Sequence, residues 1–172
     1  MNRRTFGLLS LSACATAPLA GCAPFIQGPE PIPAGFSGPR LEQGALIAAD
    51  GTRLPMTVWP ATDADGAPAA PWAVILALHG MNDYANAFVL AGPYWAERGI
   101  ATYAYDQRGF GRGVHRGLWS DGALMAEDVR TACALLRARY PNTVLTVVGE
   151  SMGGAVAGGG LAAPPPPAAG RV

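Results

Sequence analysis

The sequence predicts an α/β protein built on a mostly parallel sheet with helices on both faces. Three observations predict it. Trp72–Leu78 (WAVILAL), Ile100–Tyr105 (IATYAY) and Thr143–Val148 (TVLTVV) are short runs of apolar, aromatic and β-branched residues, as strands covered on both faces require. Helical spacing fills the two intervals between them. The third run leads straight into Gly149-Glu150-Ser151-Met152-Gly153-Gly154, a sharp turn before a new helical start. Strand–helix–strand alternation of this kind implies parallel strands joined by right-handed crossovers.

From the N-terminus, residues 1–22 (MNRRTFGLLSLSACATAPLAGC) have the layout of a secretory signal: a basic start at Arg3 and Arg4, an uncharged apolar stretch, then small residues. The stretch is too short to cross a bilayer comfortably as a helix. Its ending, Leu19-Ala20-Gly21-Cys22, resembles the bacterial lipobox, in which the cysteine is acylated and becomes the mature N-terminus. Asn2–Leu8 resembles a twin-arginine signal. A plain signal peptide with an incidental cysteine is the alternative. The lipobox reading makes the chain an exported lipoprotein of the bacterial cell envelope, held to the periplasmic side of a membrane by buried methylenes. Residues 23–40 contain five prolines and three glycines and are expected to run as an extended linker.

The folded region is expected to start near Leu41. Leu41–Ala49 and Arg53–Trp59 are strand candidates around the turn signal Asp50-Gly51. Residues 61–71 are a polar, Ala/Pro-rich loop. Tyr84–Arg98 has helical spacing that Gly92-Pro93 should interrupt and Gly99 should end. Residues 107–119 form a loop rich in glycine and arginine. Ser120 reads as an N-cap for the clearest helix, Asp121–Tyr140, whose Leu124, Met125, Val129, Ala132, Cys133, Leu135 and Leu136 fall largely on one side.

Composition narrows the function. Of 172 residues half are hydrophobic and 14% charged, so the chain is neither disordered nor a polyelectrolyte. Twelve basic residues balance twelve acidic ones, which leaves no electrostatic reason to expect nucleic acid as a partner. The three cysteines (Cys14, Cys22, Cys133) are too far apart for a zinc cluster, and two of them fall in the export segment. No disulfide framework, metal or organic cofactor is expected.

The chemistry is concentrated at the Gly-x-Ser-x-Gly turn. This pattern between a buried strand and a helix is a nucleophile elbow. Gly149 and Gly153 are needed because the turn packs backbone on backbone, and the strained turn lifts the Ser151 hydroxyl clear of the sheet. The helix N-terminus beneath it favours developing negative charge. Trp72, Trp95 and Trp119 read as packing anchors and Cys133 as a small core residue. His115 reads as a solvated loop residue. Asp106 and Arg108 are expected to tie the loop after their strand together by hydrogen bonds and charge.

Together with the strand end Leu78-His79-Gly80-Met81 and the loop Asp106-Gln107-Arg108-Gly109-Phe110-Gly111-Arg112, the elbow resembles the monoacylglycerol lipase/lysophospholipase branch of the α/β-hydrolases, also described as serine aminopeptidase S33-like (Hydrolase_4). The resemblance covers about residues 41–157. It implies the N-terminal part of an α/β-hydrolase fold, with the C-terminal half incomplete. It also implies a serine hydrolase of carboxylic esters with Ser151 as nucleophile and an oxyanion hole made by the backbone N–H groups of Met81 and Met152. Small acyl-ester or lipid substrates follow. In this fold a histidine at position 79 shapes the oxyanion loop and does not act as the base.

A serine nucleophile requires a base oriented by a carboxylate, and in this fold both follow the serine in the order acid, then histidine. None of the 21 residues after Ser151 is Asp, Glu or His. Gly158–Gly160 and Pro164–Pro167 are expected to break the helix that Ala155-Val156-Ala157 begins. The expected organisation is therefore a lipoprotein-type signal peptide (1–22), a linker (23–40), a partial hydrolase domain (41–157) and a low-complexity Gly/Ala/Pro tail (158–172), which reads as the product of a frameshift or premature stop. On this reading the 172-residue polypeptide is inactive or nearly so, and the open edge of Thr143–Val148 favours aggregation. The alternative is a non-catalytic envelope lipoprotein that keeps the sheet as a scaffold.

Overall fold

The computed structural model describes residues 25–162. Residues 1–24, Cys22 among them, and residues 163–172 lie outside the described residues. Among the described residues eight strands are formed: β1 (Ile26–Gln27), β2 (Arg40–Glu42), β3 (Ala45–Ile47), β4 (Arg53–Trp59), β5 (Ala73–Leu78), β6 (Ile100–Tyr105), β7 (Trp119–Ser120) and β8 (Val144–Gly149). The helices are α1 (Ala91–Ala96), α2 (Gly122–Arg139) and α3 (Met152–Ala162), with a single 3₁₀ turn at Ala85–Phe88.

Six strands form one sheet in the order β2-β3-β4-β6-β5-β8. The three apolar runs supply β6, β5 and β8, and these pair in parallel. The N-terminal strands join antiparallel, with β4 against β6. Every residue of β5 is buried, with side chains alternating between the two faces of the sheet. Val74, Leu76 and Leu78 pack with Val129, Ala132 and Leu136 of α2 and Ala157 of α3. Ile75 and Ala77 point the other way, against Ala85 and Phe88 of the 3₁₀ turn. Each fully buried aliphatic side chain of this kind contributes about 1.5–3 kcal/mol. Helices therefore cover both faces. β8 is the edge strand here, with Val144 exposed.

Several local expectations are corrected. Leu41–Ala49 is two strands, because Gln43-Gly44 turns the chain between β2 and β3, with Gly44 at φ +72°. Tyr84–Arg98 is broken earlier than Gly92-Pro93, between the 3₁₀ turn and α1. Pro93 then sits in the first turn of α1, where its missing N–H costs nothing. Gly92 is there because a Cβ would meet the Trp59 indole. The N-cap of α2 is Asp121, whose carboxylate accepts from the Ala123 N–H at 2.8 Å, and not Ser120. Trp72 is no core anchor: it is 65% exposed, its indole N–H donating to the Arg98 carbonyl at 2.7 Å. Trp95 packs against Phe88 and Trp119 against Phe110.

The glycines at 158–160 do not end α3, which runs on to Ala162. A Cβ at Gly160 would lie 3.0 Å from both the Ala126 carbonyl and the Val129 side chain, so the glycine lets α3 lie close on α2. Packing of one helix on the other offsets the poor intrinsic helix propensity.

Residues 25–40 are not a free linker. β1 pairs in parallel with β7, Ile26 opposite Trp119 and Gln27 opposite Ser120. The Gln27 side-chain amide donates to the Leu118 carbonyl at 2.8 Å, and the Asp121 N–H donates to the Gln27 carbonyl at 3.2 Å. Further along, the Glu30 N–H donates to Asp50 at 2.9 Å, and Glu30 meets the half-exposed His115 at 2.6 Å. This segment is a strap across the Gly/Arg-rich loop.

Under the strap lies a buried ionic knot. Arg108, 4% exposed, donates through Nε and Nη2 to Asp128 at 2.7 and 2.9 Å. Nη1 and Nη2 donate to Asp50 at 2.8 and 2.9 Å, and Nη1 also reaches the Thr52 hydroxyl at 3.0 Å. All five guanidinium N–H groups are thereby satisfied. Arg108 thus joins the β3–β4 hairpin to α2, and its partners are not Asp106. Burial works to raise the Asp50 pKa, but Arg108 and the backbone N–H groups of Glu30 and Thr52 outweigh it and hold the carboxyl well below the usual range. At Asp128 burial prevails over Arg108, with the Asp50 charge adding to it, and the pKa is pushed up to about 6.

Arg108→Ala leaves two buried carboxylates without their cation and is expected to cost about 3–5 kcal/mol, with Arg108→Lys a poor rescue because an ammonium cannot reproduce the fork. The midpoint of denaturant unfolding measures this; a loss under about 1 kcal/mol, the scale of a surface pair, would refute the knot's importance.

Candidate active site

β5 and β8 lie side by side in register, Leu78 opposite Gly149, so the two strand ends open at the same edge of the sheet. From β5 the chain leaves as His79-Gly80-Met81; from β8 it leaves as Glu150-Ser151-Met152. The Glu150 N–H donates back to the Leu78 carbonyl at 3.0 Å, which closes the two exits together. Ser151 is exposed and has φ +47°, a left-handed conformation that a serine adopts only under constraint.

Glycine contacts account for the constraint. A Cβ on Gly149 would come within 2.5 Å of the Gly153 and Gly154 backbone. One on Gly153 would collide with the Leu78 carbonyl and lie 2.7 Å from that of His79. Neither site has a flexible neighbour able to yield. α3 therefore starts tight against the end of β5, and the turn carrying Ser151 is squeezed outward. Met152, mostly buried, is the first residue of α3, so its N–H has no intrahelical acceptor. The Gly153 N–H caps back to the Glu150 carbonyl at 2.7 Å and the Gly154 N–H to that of Ser151 at 3.0 Å. Met81 is 57% exposed and follows Gly80, whose Cα lies against Glu150. The structure thus brings residues 80–81 and 149–153 to one place. Cys22, the remaining residue singled out from the sequence, lies outside the described residues.

His79 is fully buried between these exits and the loop after β6. Its Nε2 accepts from the Gln107 N–H at 2.9 Å, and its Nδ1 donates to the Gly80 carbonyl at 2.7 Å. That pair of bonds selects the neutral Nδ1–H tautomer. The Gln107 side chain adds a bond to the His79 carbonyl at 2.7 Å. Burial lowers the His79 pKa below its ordinary value, and the Gly80 carbonyl, Asp106, Asp83 and Glu150 only partly offset this. With both nitrogens engaged, the ring holds the turn and is not free to accept a proton from Ser151.

Asp106 is equally committed. Fully buried, it accepts from the Ala85 N–H at 2.9 Å and from the backbone, Nε and Nη2 of Arg112 at 2.8, 2.9 and 3.1 Å. Burial would raise its pKa, but the Arg112 and Ala85 bonds prevail and lower it. It fastens the loop after β6 to the segment after Tyr84. Beside Met81 this loop walls a cleft of about 360 Å³, lined by Met81, Tyr84, Phe110, Arg116, Leu118 and Trp119 among others. Of these, the sequence placed only Met81 at the site and took Trp119 for a packing anchor; the others it did not assign. Their signal was the density of glycine and arginine in residues 107–119, since Gly109 (φ +83°) admits the Leu118 carbonyl where a Cβ would collide. Half-buried Cys133, its thiol pKa raised by burial, packs against the core. Among the described residues, no group of His, Cys, Asp and Glu is placed to hold a metal ion.

The His79 pKa lies below 6.5 in the folded state, so the unfolded chain takes up this proton first and stability falls as pH drops through about 6.5. His79→Gln is expected to remove that part of the pH dependence. The imidazole nitrogen shifts of His79 in NMR should become those of a charged ring only at a lower pH than in a free imidazole; protonation at or above the free-imidazole pH would contradict the tautomer assignment.

Comparison with known proteins agrees with this geometry. The sequence profile of the family described as serine aminopeptidase, S33 (Hydrolase_4), matches residues 69–172. A monoacylglycerol lipase of Mycolicibacterium smegmatis is 32% identical over 108 residues, which is 62% of this chain and 36% of that protein. The chain thus spans about a third of the length of this curated relative. The fold resembles a carboxyl esterase from Bacillus coagulans (TM-score 0.56, 22% identity, covering 64% of this chain and 36% of that one). It also resembles a soluble variant of monoglyceride lipase from Saccharomyces cerevisiae (TM-score 0.55, 20% identity, covering 75% and 41%). A lidless α/β serine hydrolase from Xanthomonas campestris is similar over 77% of this chain and 59% of that one (TM-score 0.55, 20% identity). With the strand order, the elbow and the profile match in agreement, the chain belongs to the serine aminopeptidase S33 family of α/β-hydrolases and comprises part of that fold.

Proposed function

We propose that this chain carries the nucleophile and oxyanion hole of an esterase or lipase that cleaves small acyl or lipid-like carboxylic esters. The observation that carries the reading is Ser151 at φ +47°, held between the end of a parallel strand and the start of a helix. In this role the Ser151 oxygen attacks the ester carbonyl, and the backbone N–H groups of Met81 and Met152 receive the oxygen that becomes negative. The α3 N-terminus adds a favourable field. The neighbouring cleft, with Phe110, Leu118 and Trp119 on its walls, suits an apolar acyl or alcohol group. The ester-cleaving names of the bacterial and yeast relatives support this substrate class.

The base and its carboxylate are not supplied by the residues after Ser151, and His79 is already bonded at both nitrogens. The 172-residue polypeptide assayed alone should therefore carry an unactivated serine. The export reading completes the proposal: a lipid-anchored protein of the cell envelope, tethered through Cys22 to the membrane from which lipid esters reach it. No helix among the described residues is long and apolar enough to cross a membrane.

A fluorophosphonate probe tests the reading. On the 172-residue polypeptide, labelling should be weak or absent. When a downstream half supplying the acid and histidine is joined to it, Ser151 should label and short-chain esters should turn over. Ser151→Ala should then lower kcat by on the order of 10⁴-fold or more. Turnover that survives Ser151→Ala would remove Ser151 as nucleophile, and strong labelling of the shorter polypeptide would remove the claim that it lacks a base.

A further inference from the structure

The strap and the cleft share an apolar outer surface. In the parallel β1–β7 pair, Gln27 and Ser120 turn inward and are buried, whereas Ile26 and Trp119 turn outward and are 53% and 43% exposed. Phe25 precedes them at 70% exposure, and Leu118, held by the Gln27 side chain, is half-exposed. Trp119 and Leu118 also line the cleft with Met81 and Tyr84, both exposed. An apolar patch therefore runs from the start of the strap to the mouth of the cleft beside the elbow. Patches of this kind on a soluble surface mark a binding face.

Its occupant follows from chain length. Phe25 stands three positions after Cys22, and three residues reach at most about 11 Å when fully extended. The polar zone of a bilayer is itself roughly 5–8 Å deep on each side. An acyl anchor on Cys22 thus leaves Phe25 and Ile26 no room to stand away from the lipid surface. Trp119 follows, because it is fixed opposite Ile26. A tryptophan beside aliphatic side chains suits the boundary between headgroups and acyl chains. Arg116, on the cleft wall and in no ion pair with any other described residue, adds attraction to anionic headgroups.

We propose that the Phe25, Ile26, Leu118 and Trp119 surface seats on the lipid bilayer that holds Cys22, so that the cleft opens at the membrane and takes its ester directly from it. This rests on the lipid-anchor reading above. The strap is then an orienting device: β1 fixes the pose of the sheet against the membrane.

The test places nitroxide labels on the full chain, made in a lipoprotein-processing bacterium and reconstituted in phosphatidylethanolamine/phosphatidylglycerol vesicles. Cys133→Ala removes the background thiol, and Ile26→Cys, Trp119→Cys and Phe25→Cys supply labels at exposed positions. Arg139→Cys is the control, at the far end of α2 and about 25 Å along its axis from the β7 end. Mass spectrometry reports acylation of Cys22, and circular dichroism excludes misfolded variants. Labels at 25, 26 and 119 should gain collisions with oxygen and lose collisions with an aqueous nickel chelate severalfold on vesicles, while 139 stays aqueous. Equal aqueous access at all four sites with Cys22 acylated would overturn the seating and leave the anchor standing. An unacylated Cys22 would overturn both, without touching the esterase reading. Shielding of 26 and 119 from oxygen and nickel alike would mean that protein, such as a lid or a second copy, covers the patch.

Discussion

The loop that walls the cleft hangs from one guanidinium. Arg108 follows β6 by three residues, yet its five N–H groups are spent on Asp50 in the β3–β4 hairpin, Thr52 beside it and Asp128 in α2. Two carboxylates around one cation leave a surplus negative charge in a buried place. The structure divides the cost unequally: Asp50, with extra backbone donors, keeps its charge, and Asp128 is the one nearer to protonation. A buried ion pair is a weak source of net stability, because desolvation cancels most of the attraction. Its value lies in specificity. Only one placement of hairpin, loop and helix satisfies every donor, and that placement sets the loop that walls the cleft.

The elbow is built by a different means. Nothing charged holds Ser151; two glycines do, by allowing backbone to approach backbone where any side chain would collide. His79 then reinforces the neighbouring turn with two directional bonds at the expense of its own basicity. The two halves of the site are thus independent in origin, one electrostatic and one steric. They meet at Gly80 and Gln107, where the loop after β6 reaches the exit of β5.

Legibility in the sequence follows the range of the interactions. β5 and β6 were readable because burial on both faces leaves an uninterrupted apolar run; β8 carries the same kind of run although it lies half-exposed at the edge of the sheet. The elbow was readable because all its constraints lie within Gly149–Gly154. The β2–β3 turn was not, since Leu41–Ala49 carries a lone glycine in an otherwise strand-like stretch and its pairing is set by β4. Gly158–Gly160 misled because propensity is local, whereas the surface of α2 that accepts them is formed some thirty residues earlier in the chain. The partners of Arg108 lie 58 and 20 residues away, and nothing around it in sequence announces either. The strap was hidden for the same reason: five prolines describe a stiff chain but do not say where it lies down.

The strap also bears on the order in which the molecule assembles. Gln27 is among the first described residues to leave the ribosome, and its partner Leu118 is synthesised 91 residues later. Closing so large a loop carries an entropic cost that grows only slowly with length, but it must be met before a two-residue pairing returns anything. β1 therefore cannot act as a nucleus. It waits for the hairpin, β5, β6 and the loop to form, and is laid over them as a latch. Born early and seated late, the strap is the segment whose docking certifies that the structure beneath it is complete.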